Sequence, residues 1–293
     1  MTFLEYGSDV VGSIRIPASF CGVYGLKPTA RLVPLTGFQL PGTPSTRSEM
    51  RFMSAVGPLA RSAADLRLAL QLTAGPEAPE NLAFTWQLPS PRHERLQDFR
   101  VGVVLDDRHS PVSSEVGAVL SNLVDALARA GLAVTEGWPA GVDPARDAET
   151  FGFQVQAFFA FHEPDPNGPS LADFAVQEQR RMAARAAWSE YFGDIDVFLS
   201  PTNFTPPFSH DARPFDERTI RTPQGERRYD AQTFWISHAS LSGLPAVSAP
   251  IGRTAAGLPV GLQIVGPMYE DDTAITFAQL LADVVGGFEV PPL

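Results

Sequence analysis

Ser13 is the residue whose neighbours most suggest chemistry. It closes the run Gly7-Ser-Asp-Val-Val-Gly-Ser13 and leads into Ile14-Arg-Ile-Pro-Ala18. A serine hydroxyl is a poor nucleophile at its ordinary pKa. It needs a base beside it and donors aimed at the oxygen that becomes negative. A loop of small residues ending in serine can supply the donors, because successive backbone N–H groups converge on one point and form an anion-binding nest. Such chemistry is attack on a polarised carbonyl, and the remaining question is where the base lies.

The run continues as Ser19-Phe-Cys-Gly-Val-Tyr-Gly-Leu-Lys-Pro-Thr29, and four later segments follow in order. These are Gly57-Pro-Leu-Ala-Arg-Ser-Ala-Ala-Asp-Leu66, Asp196-Val-Phe-Leu-Ser-Pro-Thr202, Ser242-Gly-Leu-Pro-Ala-Val-Ser-Ala-Pro250 and Gly257-Leu-Pro-Val-Gly-Leu-Gln-Ile-Val-Gly266. Together they resemble the amidase signature family of serine hydrolases over nearly the whole chain. The resemblance implies that Ser13 is the nucleophile and that the N–H groups of Val10, Val11, Gly12 and Ser13 form the oxyanion hole. Asp9 and Arg15 also match common family positions, and we read them as a buried ion pair or hydrogen-bond network that supports the loop. The implied reaction cleaves a carboxamide C–N bond of a small-molecule amide. An acyl-enzyme forms on Ser13, amine or ammonia leaves, and water completes the cycle without cofactor or metal. One departure stands out: the family usually has Gly-Gly-Ser where this chain has Val11-Gly12-Ser13, and a β-branched residue tolerates positive φ poorly.

The family activates its serine through a second serine, held in a cis peptide, and a lysine, both upstream. Lys27 is the only lysine here, and it lies downstream in Gly25-Leu-Lys-Pro-Thr29. The expectation is therefore a single amidase-signature-like domain over 1–293, incomplete at its N-terminus, with Met1 an internal methionine of a longer ancestral domain. Three functional readings follow. The chain is an amidase completed by an upstream segment, or a catalytically dead remnant with a structural or interaction role. The third is the amidase-like subunit of a glutamine-dependent tRNA amidotransferase, set behind the others because residues 36–56 look unlike the corresponding stretch there. None of His93, His109, His162, His210 and His238 lies near Ser13 in sequence, and no Gly-x-Ser-x-Gly elbow exists. The histidines read as surface or packing residues.

The composition narrows the partners. At 44% hydrophobic residues the chain can build a sizeable core, and its formal charge of −11 argues against nucleic acid and anionic membrane surfaces. The lone Cys21 excludes an internal disulfide and reads as a small buried hydrophobe. No Cys/His spacing suits zinc, and no signal peptide or membrane-length apolar run is seen. A cytoplasmic protein is expected. Loss of core elements would leave apolar surface and a bare sheet edge, so self-association is expected as well.

The elements that must hold Ser13 read as α/β, a mixed β-sheet wrapped by helices. Residues 1–6 form the strand entering the loop. Residues 28–58, including Pro41-Gly-Thr-Pro44, read as loop. Ser62 with Asp65 is a capping box opening a helix rich in Leu66, Leu68, Leu70 and Leu72. Arg100–Leu105, a helix from Ser113 or Ser114 to Gly131, and Leu132–Thr135 make a strand–helix–strand unit, which argues for a parallel pair. The helix places Val116, Leu120, Leu123, Val124 and Leu127 on one face. The aromatic stretch from Phe151 to His162 reads as a core or channel helix broken over Pro164–Pro169. Leu171–Phe192 reads as a helix with Arg180, Arg181 and Arg185 on the solvated side. Asp196–Thr202 is a late core strand, the closing segments form two strands, and the tail from Asp271 is helical. Residues 76–98 and 203–230 read as low-structure segments.

Overall fold

The computed structural model describes residues 2–36, 53–160 and 168–291. In chain order the elements are β1 (Leu4–Asp9), α1 (Arg15–Cys21), β2 (Tyr24–Lys27), β3 (Ala55–Ala60), α2 (Ala63–Thr73), β4 (Val101–Val103), α3 (Ser114–Arg129), β5 (Val134–Glu136) and α4 (Pro144–Ala160). Then come α5 (Leu171–Asp194), β6 (Val197–Pro201), β7 (Thr219–Thr222), β8 (Gly225–Arg228), α6 (Thr233–Ser242), β9 (Ala246–Arg253), β10 (Pro259–Val265) and α7 (Asp271–Val285). Eight strands form one sheet in the order β1-β3-β2-β9-β10-β6-β4-β5. The expected strand–helix–strand unit is there, with β4 parallel to both β5 and β6, and the remaining pairings are antiparallel. The α/β class with a mixed sheet is what the sequence led us to expect.

Side chains alternate between the two faces along each strand. Leu26, Val197, Leu199, Val247, Leu262 and Ile264 point to one face and pack against Leu66, Leu123 and Phe277 of α2, α3 and α7. Phe198, Ala246 and Val265 point to the other and meet Trp188, Phe192, Trp235 and Ala239 of α5 and α6. Each fully buried Leu, Val or Phe contributes about 1.5–3 kcal/mol, so both faces are anchored and the strand ends carrying the loops are fixed.

The helix α1 sits on the second face, against β9 and β10. It approaches β10 so closely that a Cβ on Gly261 would lie 2.7 Å from the Ser19 side chain. Glycine leaves room for the Gly261 N–H to donate to Ser19 Oγ at 2.9 Å. This contact fixes the helix that follows Ser13.

Several expectations need correction. Residues 203–230 include a separate β7–β8 hairpin. Cys21 is exposed, because α1 buries Arg15, Ala18 and Ser19 and turns Cys21 to the opposite side. Leu68, Leu72 and Val124 are exposed while Leu66, Leu70, Leu120 and Leu123 are buried, since a single helix face meets the sheet. Arg185 is half-buried, with Nη2 directed at Met268 Sδ rather than solvent. The helix expected from Phe151 starts at Pro144. Pro41–Pro44, His162 and Pro164 lie outside the described residues.

Candidate active site

Asp9 ends β1, and its carboxylate organises the next six residues. Oδ1 accepts from the Gly12 N–H at 2.9 Å and from Arg15 Nη2 at 2.9 Å. Oδ2 accepts from the N–H groups of Ile14 and Arg15 and from Arg15 Nε at 3.0 Å. Neither side chain of this ion pair is exposed. Burial pushes the Asp9 carboxyl up, but Arg15 and the N–H donors outweigh it and hold it below the ordinary carboxylate value.

Arg15 carries the loop's position into the body of the fold. Nη1 donates to the Ile236 carbonyl at 2.9 Å and Gln263 Oε1 at 2.7 Å, and Nη2 donates to Ser240 Oγ at 2.6 Å. Gln263 in turn donates to Ser200 Oγ and the Trp235 carbonyl. The guanidinium is thus forked across a carboxylate, a helix and a strand, a geometry that lysine cannot reproduce. Sequence reading missed Ser240 and Gln263. The available signal was a polar residue on the inward face of otherwise apolar elements, since such groups are buried only with partners.

Ser13 itself is exposed, while Val10 and Val11 are half-buried and Gly12 is buried. Gly12 has φ 91°, and Val11 is not among the residues with positive φ. The sharp turn therefore falls wholly on Gly12, and Val11 sits unstrained. A Cβ at Gly12 would lie 2.7 Å from Ile16 Cδ1 and 3.1 Å from Ile236 Cγ1. Val11, Ile16 and Met53 pack against the buried cluster of Phe151, Ala184, Ile236 and Leu241, which forms an apolar flank beside the loop. The Gly12 N–H is committed to Asp9, whereas the N–H groups of Val11 and Ser13 have no acceptor among the described residues.

No base meets Ser13 among the described residues. His93 bonds to Asp196 and His109 to Asp107. His210 is exposed. His238 is buried in α6 against Trp138, with neither ring nitrogen partnered among the described residues. Burial pushes its pKa down to about 3. Lys27 is buried at the end of β2, with Nζ donating to the Pro28 carbonyl at 2.9 Å. Among the described residues no helix is long and apolar enough to cross a membrane.

The chain matches the Amidase family over residues 1–151 and 140–275. It is 28% identical to the A subunit of glutamyl-tRNA(Gln) amidotransferase from Archaeoglobus fulgidus, over 97% of this chain and 65% of that protein. It is 31% identical to the corresponding protein of Thermus thermophilus, over 94% of this chain and 63% of that one. It is 29% identical to an indoleacetamide hydrolase of Bradyrhizobium diazoefficiens, over 97% of this chain and 56% of that protein. The fold superposes on the A subunit of the Thermotoga maritima amidotransferase with a TM-score of 0.77, covering 99% of this chain and 65% of that one at 19% identity. A bacterial aryl acylamidase gives a TM-score of 0.72 at 19% identity, over 96% of this chain and 62% of that one. The chain thus spans less than two thirds of the length of these relatives. Given the family match over most of its length, the chain belongs to the Amidase family.

Proposed function

We propose that these residues supply the nucleophile and oxyanion loop of an amide-cleaving site, with Ser13 attacking the carboxamide carbonyl. The observation that carries this is the Asp9–Arg15 cluster, which spends its hydrogen bonds on holding an exposed Ser13 beside two N–H donors without an acceptor among the described residues. A linear amide is the substrate class, and since no base meets Ser13 among the described residues, a complementing segment supplies it.

The test is covalent labelling of the full chain with a fluorophosphonate, beside Ser13→Ala. Wild-type labelling that the variant lacks supports the reading. Without a built-in base, its rate rises with pH as hydroxide takes the serine proton. Absence of labelling in both chains across the pH range leaves the catalytically silent remnant.

A second reading is favoured by the relatives that are A subunits of glutamyl-tRNA(Gln) amidotransferases. On it, the same serine releases ammonia from glutamine for a partner protein, and ammonia release that depends on added partners distinguishes it. Beside such relatives, net charge is no longer a ground for excluding a nucleic-acid partner.

A further inference from the structure

A cavity of about 380 Å³ opens between α5 and the turn that follows β10. No residue lining it belongs to the Ser13 loop. Its size suits a small organic molecule. Phe192 and Leu244, both buried, and Met268 give it an apolar wall. Arg92, Arg185, Ser189 and Glu270 supply its polar groups.

The charges around it leave one cation over. Arg92 Nε donates to Glu270 Oε2 at 2.6 Å and Nη2 to Glu270 Oε1 at 2.8 Å. Arg92 Nη1 donates to the Phe192 and Ile195 carbonyls and to Asp196 Oδ1. Asp196 also accepts from Arg100 Nη2 at 2.7 Å. Both carboxylates are thus answered by Arg92 and Arg100. Arg185 has no carboxylate within ion-pair reach among the described residues, and its one acceptor there is the weak thioether sulfur of Met268. The chain has 33 acidic residues against 22 lysines and arginines, so a half-buried cation without an acid is notable. Ser189 lies one helical turn beyond Arg185, at i+4, and both line the cavity from the same face of α5. Its hydroxyl makes no hydrogen bond among the described residues.

We propose that this cavity is a binding site for a small organic carboxylate, held by Arg185 and Ser189 with its carbon chain against Phe192, Leu244 and Met268. A guanidinium offers two parallel N–H donors that match the two oxygens of a carboxylate. The Ser189 hydroxyl adds a third donor from the same helix face. Glu270 is the one carboxylate lining the cavity, and Arg92 occupies both of its oxygens. The apolar wall favours an anion with a carbon body, since only such a ligand removes that surface from water. This site stands independently of the role given to Ser13.

The test is a titration of the 15N-labelled full chain with butyrate at constant ionic strength, following the Arg185 Nε–H signal and the Ser189 amide by NMR. Both signals should move saturably with butyrate. They should ignore butyramide, which has the same carbon chain and no charge. Arg185→Gln, with folding checked by circular dichroism, should weaken binding about tenfold or more, as expected for loss of a charged hydrogen bond. Ser189→Ala should weaken it less. Signals that butyrate leaves unmoved overturn the proposal. Equal shifts with butyramide also overturn it, because apolar surface alone then accounts for binding. Saturation by inorganic phosphate but not by butyrate overturns it in favour of a bare oxyanion. Unchanged affinity in Arg185→Gln puts the anion elsewhere. The three ligand comparisons use the wild type, so they decide the matter even where a variant fails to fold. None of them reads Ser13, and failure of fluorophosphonate labelling bears on the hydrolase reading alone.

Discussion

Asp9 and Arg15, six residues apart, close on each other with Oδ1 and Nη2 at 2.9 Å and neither side chain exposed. Asp9→Asn keeps an acceptor but leaves the guanidinium buried without a counter-charge. Breaking such a pair from one side costs about 3–5 kcal/mol. Denaturant unfolding should show a loss of that order, with the midpoint moving and the slope unchanged. Arg15→Lys should also destabilise, because one ammonium cannot serve Asp9, Ile236, Ser240 and Gln263 together.

Gly12→Ala tests the turn. Its φ of 91° suits glycine alone, and the new methyl would meet Ile16 and Ile236. Holding a non-glycine residue there costs about 1–3 kcal/mol, and Ser13 labelling should fall with it. Ile16→Val in the same chain removes the Cδ1 that would lie 2.7 Å from the new methyl and not the φ penalty, so it should restore only part of the stability. Full restoration would show that crowding, and not backbone strain, sets the need for glycine.

These two cases also mark how far sequence reading reached. The loop and the β4–α3–β5 unit were legible because their signals are local, small residues in a row and a capping serine before a one-sided helix, whereas the Asp9–Arg15 partnership was read from the match of both residues to common family positions. The helix α6 was not, since Phe234 to Ser242 are all buried and a helix enclosed on every side shows no amphipathic period. The Arg15 partners Ser240 and Gln263 stand 225 and 248 residues away from it, so only the closed sheet brings them together. Cys21 misled for the opposite reason: its apolar neighbours in sequence point to other sides of α1.

Asp196 gives an acid-side prediction. Burial raises its pKa, but hydrogen bonds from Arg100 and Arg92 outweigh this and bring it down to about 2. A carboxyl depressed in the folded state stabilises fully above its unfolded value. That stability is lost as pH falls from about 4 to about 2, and a shift of this size is worth roughly 2 kcal/mol. Asp196→Asn should be less stable than wild type at pH 6, and the difference should shrink towards pH 2. A constant difference would mean that packing, not charge, holds this site.

The sheet ends on β1, which pairs with β3 alone among the described residues. Phe3 just before it, Leu4 within it and Leu72 on neighbouring α2 are 76%, 38% and 75% exposed, and Tyr6 Oη ties the strand to α2 through the Ala69 carbonyl and Thr73. An unpaired edge with adjacent apolar side chains favours association. Light scattering should give a mass above 31.6 kDa, and Leu72→Glu should lower it. A stable monomer at high concentration would remove this expectation.

Lys27 sets a stability dependence of the opposite sign to Asp196. Its folded pKa, about 7, lies below the ordinary value of 10.5. As pH drops below 10.5 the unfolded chain gains a proton that the folded chain declines, so this group destabilises increasingly down to about 7 and by a constant amount below that. Lys27→Met has no proton to bind in either state and fills similar volume. Its stability relative to wild type should therefore be greatest at pH 7 and below, and should decline as pH rises towards 10. Thermal unfolding of both proteins at pH 6, 8 and 10 reads the trend directly. If the two curves run parallel, the buried amine keeps its charge.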